Sequence, residues 1–538
     1  MYRVDTYDFS KGNYKQWEIA NDYPAVYILE NGKEAYIGET GTIITRADQH
    51  SKNPQFKKYK FKNMHVITGL KSHKSSARHY ETLLIRLMAS DGKFTIVRTK
   101  DGNNKHHYPD QDVFELRFDK LWKLLEEKEL VKTKDFHLII NSGVYKYSPH
   151  IALTDEQEVA LTSIVNVLDS DADAPFSEEY KTRPIMLTGE AGTGKTAVAT
   201  SLFYHLRNSE KYKDQKIALV IANPSMRKEI QDVFAQVKGL FKKDVISPAE
   251  VGRQLYDIII CDETHKLRRM QNLVTYAGAF TKTNTLLGFD NTHDELDWIL
   301  KQSKRQVLFY DKNQCVHPAE IRHDYVVQRL YDKYMGVRPI ELKRQMRIRD
   351  GHDYVSYVYD ILYQRVSNRK TFKNYDFKMF TSFSDFTNAV FAKNDKLGIS
   401  RLCSGYPWKW ISKGGGNQFD IIIEEAKLKW NSKTAGWLSD ENTKKEVGSI
   451  YSLHGLDLNY SGVIIGSDLY YDKEDNAIKV DRANYFDRNV KKGTSDEDLI
   501  KYVLNTYAVL LTRGIEGTYV YVCDENLREY LKQFIEVF

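Results

Sequence analysis

The stretch IMLTGEAGTGKTAVATSLFYHL at 185–206 decides the fold of most of this chain. It begins with an apolar run typical of a buried strand and ends in a segment of helical character. Between them, GEAGTGKT at 189–196 fits the pattern G-x-x-x-x-G-K-[ST]. Glycines in this pattern let backbone N–H groups surround phosphate oxygens where the helix begins. The order of strand, loop and helix therefore predicts a phosphate-binding loop at the edge of a parallel α/β sheet.

The residues of this loop define a predicted ATP site. Gly189, Gly192 and Gly194 let the backbone approach the phosphates. Lys195 reaches the β- and γ-phosphates, and the Thr196 hydroxyl ligates Mg²⁺. We therefore expect ATP and Mg²⁺ as the cofactors.

A later apolar strand ends in two acids. The run YDIIICDE at 256–263 places Asp262 to ligate Mg²⁺ and Glu263 to orient the attacking water. Similar apolar runs lie at 185–189, 217–223, 306–311, 419–425, 462–466 and 518–524. Because strands that are apolar on both faces and alternate with helices indicate parallel sheets, the early runs predict one α/β unit and the last three a second.

Composition limits the class of protein. The chain has 538 residues, of which 41% are hydrophobic and 28% charged, so it is neither disordered nor fibrous and should form about three or four domains. It lacks a run of roughly 18 apolar residues and the apolar core of a signal peptide, so we expect a cytoplasmic protein without a membrane partner. The four cysteines are far apart, which excludes a disulfide framework and a zinc site.

The charge distribution says more than the formal net charge of +6. The stretch 49–80 contains Lys, Arg and aromatic residues but no Asp or Glu. This pattern predicts a surface that faces nucleic-acid phosphates, although a solvated lysine-rich face would show the same composition. The residues assigned to phosphates are Lys57, Lys58, Lys60, Lys62 and Arg78.

Further segments resemble the motifs of superfamily 1 helicases and occur in the same order. LTDEQ at 153–157 resembles the Q motif, which implies that Gln157 reads adenine. FYDKNQ at 309–314 is similar to motif III. The resemblance implies that Asp311 and Gln314 sense the γ-phosphate and couple it to nucleic acid.

Two arginines match the positions of arginine fingers in this superfamily. ELKRQMR at 341–347 resembles motif IV, with Arg347 as the finger. LLTRG at 510–514 resembles motif VI, with Arg513 as the second. The resemblance implies that ATP lies between two sheets and that closure of the cleft brings these arginines onto the transferring phosphoryl group.

One segment points to a group within the superfamily. SIYSLHGLDLNYSGVIIG at 449–466 resembles motif V of the Schlafen-like DNA/RNA helicases. Gly455 and Asp457 match the usual glycine and acid, whereas His454 stands where Gln is more common. The seven matches together imply a helicase-type motor that acts on nucleic acid.

The N-terminal segment AVYILENGKEAYIG at 25–38 reads as two strands joined at Asn31-Gly32, a type I′ hairpin signal. It resembles the GIY-YIG nuclease domain. Tyr27 and Tyr36 match the two tyrosines of that pattern and Gly38 its closing glycine. Ala25 replaces the first glycine, which leaves open a non-catalytic adaptor as an alternative.

Three later residues continue the GIY-YIG pattern. Arg46 and His50 match its Arg-x-x-x-His helix, and Glu81 matches its metal-binding glutamate. Phosphodiester hydrolysis needs a base, for which a tyrosine or His50 could serve, and a cation on the phosphate, for which Arg46 could serve. Glu81 would hold one Mg²⁺ or Mn²⁺; the alternative is an acid at a helix N-terminus, where the dipole favours it.

The expected fold is a small mixed α/β GIY-YIG domain followed by two RecA-like parallel-sheet domains. The expected function is an ATP-dependent nuclease with a superfamily 1 motor, acting on DNA in preference to RNA, and the fusion implies prokaryotic anti-phage defence. A nucleic-acid-gated ATPase that licenses cleavage without unwinding is the alternative enzyme. The predicted domains are the nuclease 1–117, a helical linker 118–150, a first RecA-like domain 151–335 and a second 336–538.

Overall fold

The computed structural model describes most of the chain. The residues outside the description are 1, 13, 20–21, 70–72, 98–110, 134–135, 141–142, 150–152, 172–181, 238, 274–275, 346–347, 349–350, 414–415, 417, 434–436, 439 and 454–455. The chain forms two compact units, Met1–Ala152 with Asp232–Leu240 and Leu153–Gln231 with Phe241–Phe538. None of the helices in the described ranges combines the length and apolar character that a membrane crossing needs.

The N-terminal unit is a mixed sheet with helices. Its elements are β1 (Arg3–Asp8), β2 (Asp22–Glu30), β3 (Glu34–Thr42), α1 (Ile43–Lys52), α2 (Pro54–Lys57), β4 (Asn63–Thr68), α3 (Lys74–Asp91), β5 (Thr95–Ile96), α4 (Gln111–Glu127), α5 (Phe136–Ile140) and α6 (Gly143–Tyr147). The strand order is β1-β4-β2-β3-β5, with β5 parallel to β3 and the other pairs antiparallel. Apolar side chains of β2, β3 and β4 alternate between two cores, one of which includes α3 and α4.

The predicted type I′ turn between β2 and β3 is wrong. Strand pairing stops at Glu30 and Ala35, and of the two turn residues only Gly32 has a positive φ, 84°. The Asn31 side chain accepts hydrogen bonds from the backbone N–H groups of Lys33 and Glu34 at 2.9 and 2.7 Å. These bonds stabilise a longer loop, because asparagine oxygens compete for nearby backbone donors.

The second unit begins with a six-stranded sheet, here called the first parallel sheet. Its elements are α7 (Asp155–Ser170), β6 (Ile185–Gly189), α8 (Lys195–Asn208), β7 (Ile217–Ile221), α9 (Pro224–Gln236), β8 (Val245–Ile246), β9 (Tyr256–Asp262), α10 (Ala277–Leu286), α11 (Glu295–Lys301), β10 (Ser303–Tyr310), α12 (His323–Tyr334) and β11 (Arg338–Leu342). The strand order is β11-β6-β10-β9-β7-β8, all parallel. The expected parallel α/β architecture is therefore confirmed.

A second six-stranded sheet, here called the second parallel sheet, follows. Its region contains α13 (Gly351–Leu362), β12 (Asp376–Phe380), α14 (Phe383–Leu397), β13 (Ser400–Ser404), β14 (Ile421–Ile423), β15 (Ala426–Leu428), β16 (Val447–Ser449), α15 (Ile450–Leu453), β17 (Leu458–Ile465), β18 (Leu469–Asp472), β19 (Ala477–Val480), α16 (Arg488–Lys491), α17 (Asp496–Leu511), β20 (Gly514–Val522), α18 (Glu525–Lys532) and β21 (Glu536–Val537). The order is β16-β13-β17-β20-β12-β21, again all parallel.

One predicted strand of the second sheet is not part of it. The run at 419–425 contributes β14, whose one partner among the described strands is β15, in a small antiparallel hairpin. Ile421 and Ile423 are buried while Ile422 is exposed, so one face of this hairpin packs on the domain and the other faces solvent. A short apolar run cannot by itself distinguish this arrangement from a buried parallel strand.

Candidate ATP and nuclease sites

The phosphate-binding loop joins β6 to α8. Gly192 and Gly194 have positive φ values of 85° and 82°, a conformation that favours glycine. A Cβ at Gly194 would overlap the side chain of Gln157, whose Nε2 donates to the Thr193 carbonyl at 2.9 Å. The predicted adenine reader is thus packed against the loop by α7, where Gln157 also completes a capping box with Thr154.

Lys195 is held inside the loop by oxygen atoms. Its Nζ donates to the carbonyls of Gly189 and Glu190 at 2.7 and 3.0 Å and to Asp311 Oδ2 at 3.0 Å. Both members of the ion pair are buried, with side-chain exposures of 5% and 1%. The lysine predicted to bind phosphates therefore already has an anionic partner, the acid that follows β10.

Thr196 and Asp262 form the predicted metal-binding pair. Thr196 Oγ1 donates to Asp262 Oδ2 at 2.7 Å, where β9 ends beside the start of α8. Burial and the neighbouring Glu263 raise the pKa of Asp262. A hydroxyl and a carboxylate are oxygen ligands of the kind that Mg²⁺ takes, so the pair fits this ion.

Glu263 adopts an unusual backbone conformation. Its φ and ψ are 53° and 44°, in the left-handed region that non-glycine residues rarely occupy. The buried ring of His265 lies beside it, with Nε2 3.0 Å from Glu263 Oε2. Such outliers cluster at functional sites, and this one stands where the extended backbone of β9 ends, at the second acid of the predicted pair.

The two parallel sheets meet at the loop that follows β10. Gln314 Nε2 donates to Asp311 Oδ2 at 2.6 Å, and Gln314 Oε1 accepts from Arg513 Nη2 at 3.4 Å. Arg513 is buried and also donates to the Leu456 carbonyl at 3.4 Å, immediately before the half-buried Asp457. Three predicted residues are therefore brought together, whereas Arg347 and Gly455 lie outside the described residues.

Sequence reasoning missed other contacts of this loop. Tyr359 Oη donates to the Asn313 carbonyl at 3.1 Å, and Asn505 Nδ2 donates to the Cys315 carbonyl at 2.9 Å. Beside them lies a cavity of about 700 Å³, lined by residues of this loop and of the helices α12, α13 and α17. Tyrosine on α13 and asparagine on α17 give no motif, so only the topology could reveal this interface.

In the N-terminal unit, four of the residues assigned to the nuclease lie together. Tyr27 Oη and His50 Nε2 share a hydrogen bond of 2.7 Å. The Tyr36 ring centroid is 6.2 Å from that of Tyr27 and 5.3 Å from that of His50. Arg46 lies one turn before His50 on α1, where its Nη1 donates to Gln49 at 3.2 Å.

The electrostatics of this group fix its protonation. Burial lowers the pKa of His50 to about 4, and Arg46 acts in the same direction. Burial also raises the pKa of Tyr27 well above its ordinary value. At neutral pH the two therefore form a neutral phenol–imidazole pair.

Glu81 lies in the middle of α3, so the alternative of a helix N-terminal acid is wrong. It is 5% exposed, and its Oε1 accepts from the backbone N–H of Glu39 at 3.0 Å. Glu39 follows Gly38, which pairs with Tyr27 in the sheet, so the carboxylate lies near the tyrosine, and its charge raises the pKa of Tyr27. A Cβ at Gly38 would overlap the Tyr27 phenol, so this position requires glycine.

The basic residues assigned to phosphates divide into two groups. Lys57, Lys58, Lys60 and Lys62 are exposed on α2 and the turn before β4. Arg78 lies on α3 and pairs with Glu39 Oε1 at 3.2 Å.

The Schlafen group 3, DNA/RNA helicase domain matches residues 183–524, more than half of the chain. The chain belongs to this family. The Schlafen-type region contains the phosphate-binding loop, the two acids at the end of β9, the Asp311–Gln314 loop and Arg513. It is therefore a helicase-type ATPase region. The match begins after Gln157 and after the N-terminal segment Met1–Ala152.

The Schlafen-type chain also resembles individual proteins. The uncharacterized protein YPL245W of Saccharomyces cerevisiae is 25% identical over 440 residues, 73% of this chain and 93% of the relative. The crystal structure of Pif1 helicase from Candida albicans is 12% identical, over 46% of this chain and 55% of that chain, with a TM-score of 0.21. Bacteroides Pif1 bound to single-stranded DNA is 12% identical, over 69% and 92%, with a TM-score of 0.26. Because both TM-scores are low, the assignment to the family rests on the match over residues 183–524 and not on these two structures.

Proposed function

We propose that this Schlafen-type chain is an ATP-driven nucleic-acid motor whose N-terminal unit is a metal-dependent nuclease. One observation carries the motor: a chain of side-chain contacts runs from the phosphate-binding loop to the second parallel sheet. Lys195 pairs with Asp311, and Asp311 accepts from Gln314. Gln314 in turn accepts from Arg513, which precedes β20 of the second sheet.

Phosphate entry would change the first of these contacts. Lys195 has to exchange the Asp311 carboxylate for phosphate oxygens, which leaves Asp311 with the Gln314 amide and the backbone N–H of Asn313. Arg513, at the end of the chain of contacts, then responds to the nucleotide, and its guanidinium stabilises the charge of the transferring phosphoryl group. Mg²⁺ held by Thr196 and Asp262 would neutralise charge on the phosphate oxygens.

The residues after β9 would handle the attacking water. The left-handed backbone of Glu263 fixes the point from which its side chain leaves the chain. From there the carboxylate would accept a hydrogen bond from the attacking water. His265, buried against the Glu263 carboxylate, limits the rotamers open to it. We therefore assign Glu263 as the catalytic carboxylate and His265 as its positioning residue.

The nuclease proposal rests on the Tyr27–His50 pair. His50 is neutral at pH 7 and, although its lowered pKa makes it a weaker base than a free imidazole, it would take the proton of the attacking water directly or through the Tyr27 hydroxyl. Arg46 supplies positive charge for the scissile phosphate. Glu81 would hold one Mg²⁺ or Mn²⁺, which would neutralise the leaving oxygen.

The test of the motor is ATP turnover with and without nucleic acid. We expect single-stranded DNA to raise turnover several-fold, because it favours closure of the second sheet onto the nucleotide. Lys195→Ala should abolish turnover, whereas Lys211→Ala, at an exposed pair with Asp169, should leave it unchanged. A rate of ATP turnover that is the same with and without every DNA and RNA tested would contradict a nucleic-acid motor.

The test of the nuclease is end-labelled DNA and RNA incubated with Mg²⁺ or Mn²⁺. Glu81→Ala should stop cleavage while ATP turnover stays within a few-fold of the parent. Thr82→Ala, the neighbouring change on α3, should cleave as the parent does. Cleavage that survives Glu81→Ala would show that the metal lies elsewhere, and binding without any cleavage would favour the adaptor.

Lys195→Ala also decides between a coupled and a tethered nuclease. If the motor feeds or licenses the nuclease, this variant should cut poorly on substrates that it still binds. Strand displacement on a forked duplex then separates a motor from an ATPase switch, since only a motor must show it. Cleavage by a coupled enzyme of this kind would suit the destruction of foreign DNA, the anti-phage role that the fusion implies.

A further inference from the structure

The insertion between β13 and β16 exposes apolar side chains beside lysines. Ile411, Phe419 and Ile422 are 51%, 43% and 60% exposed. Lys429 Nζ lies 5.9 Å from the ring centroid of Phe419. A second cation–ring pair lies nearby in sequence, with Lys413 Nζ 5.5 Å from the Trp410 ring centroid. These side chains are called the stacking platform: Trp410, Ile411, Lys413, Phe419, Ile422 and Lys429.

The stacking platform is held rigidly by a buried acid. Asp420 Oδ1 accepts from the backbone N–H groups of Ile411 and Ser412, both at 2.7 Å. Asp420 Oδ2 accepts from the Ser412 hydroxyl at 2.6 Å and from the Trp430 N–H at 2.8 Å. Four bonds to one carboxylate fix the loop against the hairpin, so the exposed Ile411 and Phe419 stand on a defined scaffold.

Ring contacts connect this scaffold to the segment that resembles motif V. Tyr406 stacks on Trp430 at 5.7 Å between centroids, and the Tyr451 ring lies 5.7 Å from Tyr406. The backbone at Trp430 bridges Val447 of β16. Tyr451, 45% exposed on α15, lies at the solvent end of this ring series, which passes through the buried Trp430.

We propose that the stacking platform binds single-stranded nucleic acid through its bases. Phe419 and Ile411 present the flat and branched apolar surfaces on which unpaired bases stack, and Lys413 and Lys429 lie where the backbone phosphates would pass. Base stacking is tolerant of sequence, which suits a translocating protein. This inference rests on the proposed motor and gives it a base-contacting surface in the half that carries Arg513.

The test measures local contact and affinity in the full chain without nucleotide. A fluorescein-labelled dT20 oligonucleotide is titrated at roughly 0.3 M salt, where phosphate contacts contribute less. We expect the Ile411→Ala/Phe419→Ala double variant to raise the dissociation constant about tenfold. Phe419→Tyr should bind as the parent does, and Tyr331→Ala, at a 55% exposed ring on α12, should also leave binding unchanged.

Photocrosslinking of a 5-iodouracil oligonucleotide locates the contact independently. Crosslinks on the peptide that contains Phe419 support the platform, and crosslinks confined to other peptides overturn it. A double variant within twofold of the parent, or a parent that binds no single strand, also overturns it. If the parent protein shows no ATP turnover, only the proposed motor is contradicted, because neither the dT20 titration nor the crosslinking uses ATP.

Discussion

Replacing Asp311 by asparagine should destabilise the nucleotide-free protein and make it depend on nucleotide for stability. The change removes the charge that faces Lys195 but keeps an oxygen that accepts from Gln314. Both charged groups are almost fully buried, and removing one partner of such a pair typically costs about 3–5 kcal/mol. At about 2 °C per kcal/mol in a large unit, the melting temperature should fall by roughly 6–10 °C.

A bound nucleotide should restore most of this loss, because its phosphates provide the anionic partner that Lys195 then lacks. The assay is differential scanning calorimetry of parent and variant with and without a non-hydrolysable ATP analogue. Glu529→Gln is the control: it breaks a pair with Lys532 of which the acid is 58% exposed, so it should cost less than about 1 kcal/mol. An Asp311→Asn variant no less stable than this control, or one that gains no more from the analogue than the parent, would refute the reasoning.

Three further predictions concern the N-terminal unit. Gly38→Ala should abolish cleavage, because its Cβ displaces Tyr27, while Gly41→Ala on the same strand, with open space around it, should keep cleavage in the assay above. The hydrogen bond to His65 lowers the pKa of Glu30 to about 2, so the ionised carboxylate stabilises the folded protein fully above its usual pKa near 4.5. This contribution is lost as the pH falls toward 2. The free energy of unfolding in urea, measured against pH, should show this dependence, and Glu30→Gln should remove the part that Glu30 contributes. Replacing the four exposed lysines of α2 and its turn by Gln should reduce the slope of log K against log salt by about 3, and an unchanged slope would remove that surface from the nucleic-acid path.

Much of the ATPase fold could be predicted because its signals are local. The strand predicted at 185–189 coincides with β6, and β9 ends at Asp262, the first of the two expected acids. Glycines with positive φ, a lysine and a hydroxyl residue at fixed spacing leave few alternatives. The pairing of Thr196 with Asp262 then follows, because parallel strands bring their carboxyl ends to one edge.

Other features depend on contacts that are distant in sequence. The hairpin of β14 with β15 could not be told from a parallel strand, because periodicity over seven residues fits both. The turn at Asn31 depends on which backbone donors its side chain reaches. The sequence assigns Lys195 and Asp311 to the phosphates, whereas their mutual pairing joins residues 116 positions apart and depends on the fold.

The second parallel sheet bears on the choice between a motor and a switch. Strands β16, β13, β17 and β20 are successive neighbours in one sheet. Arg513 immediately precedes β20, and Trp430, the residue after Lys429 of the stacking platform, bridges Val447 of β16, so both are attached to this sheet. A movement that brings Arg513 onto the nucleotide would therefore carry any base on the platform with it. An ATPase switch needs only the closure of the second parallel sheet onto the nucleotide. A motor also needs this closure to move the bound nucleic-acid strand. If the protein is a motor, the Ile411→Ala/Phe419→Ala double variant should lose strand displacement while it retains ATP turnover. A switch does not predict this result.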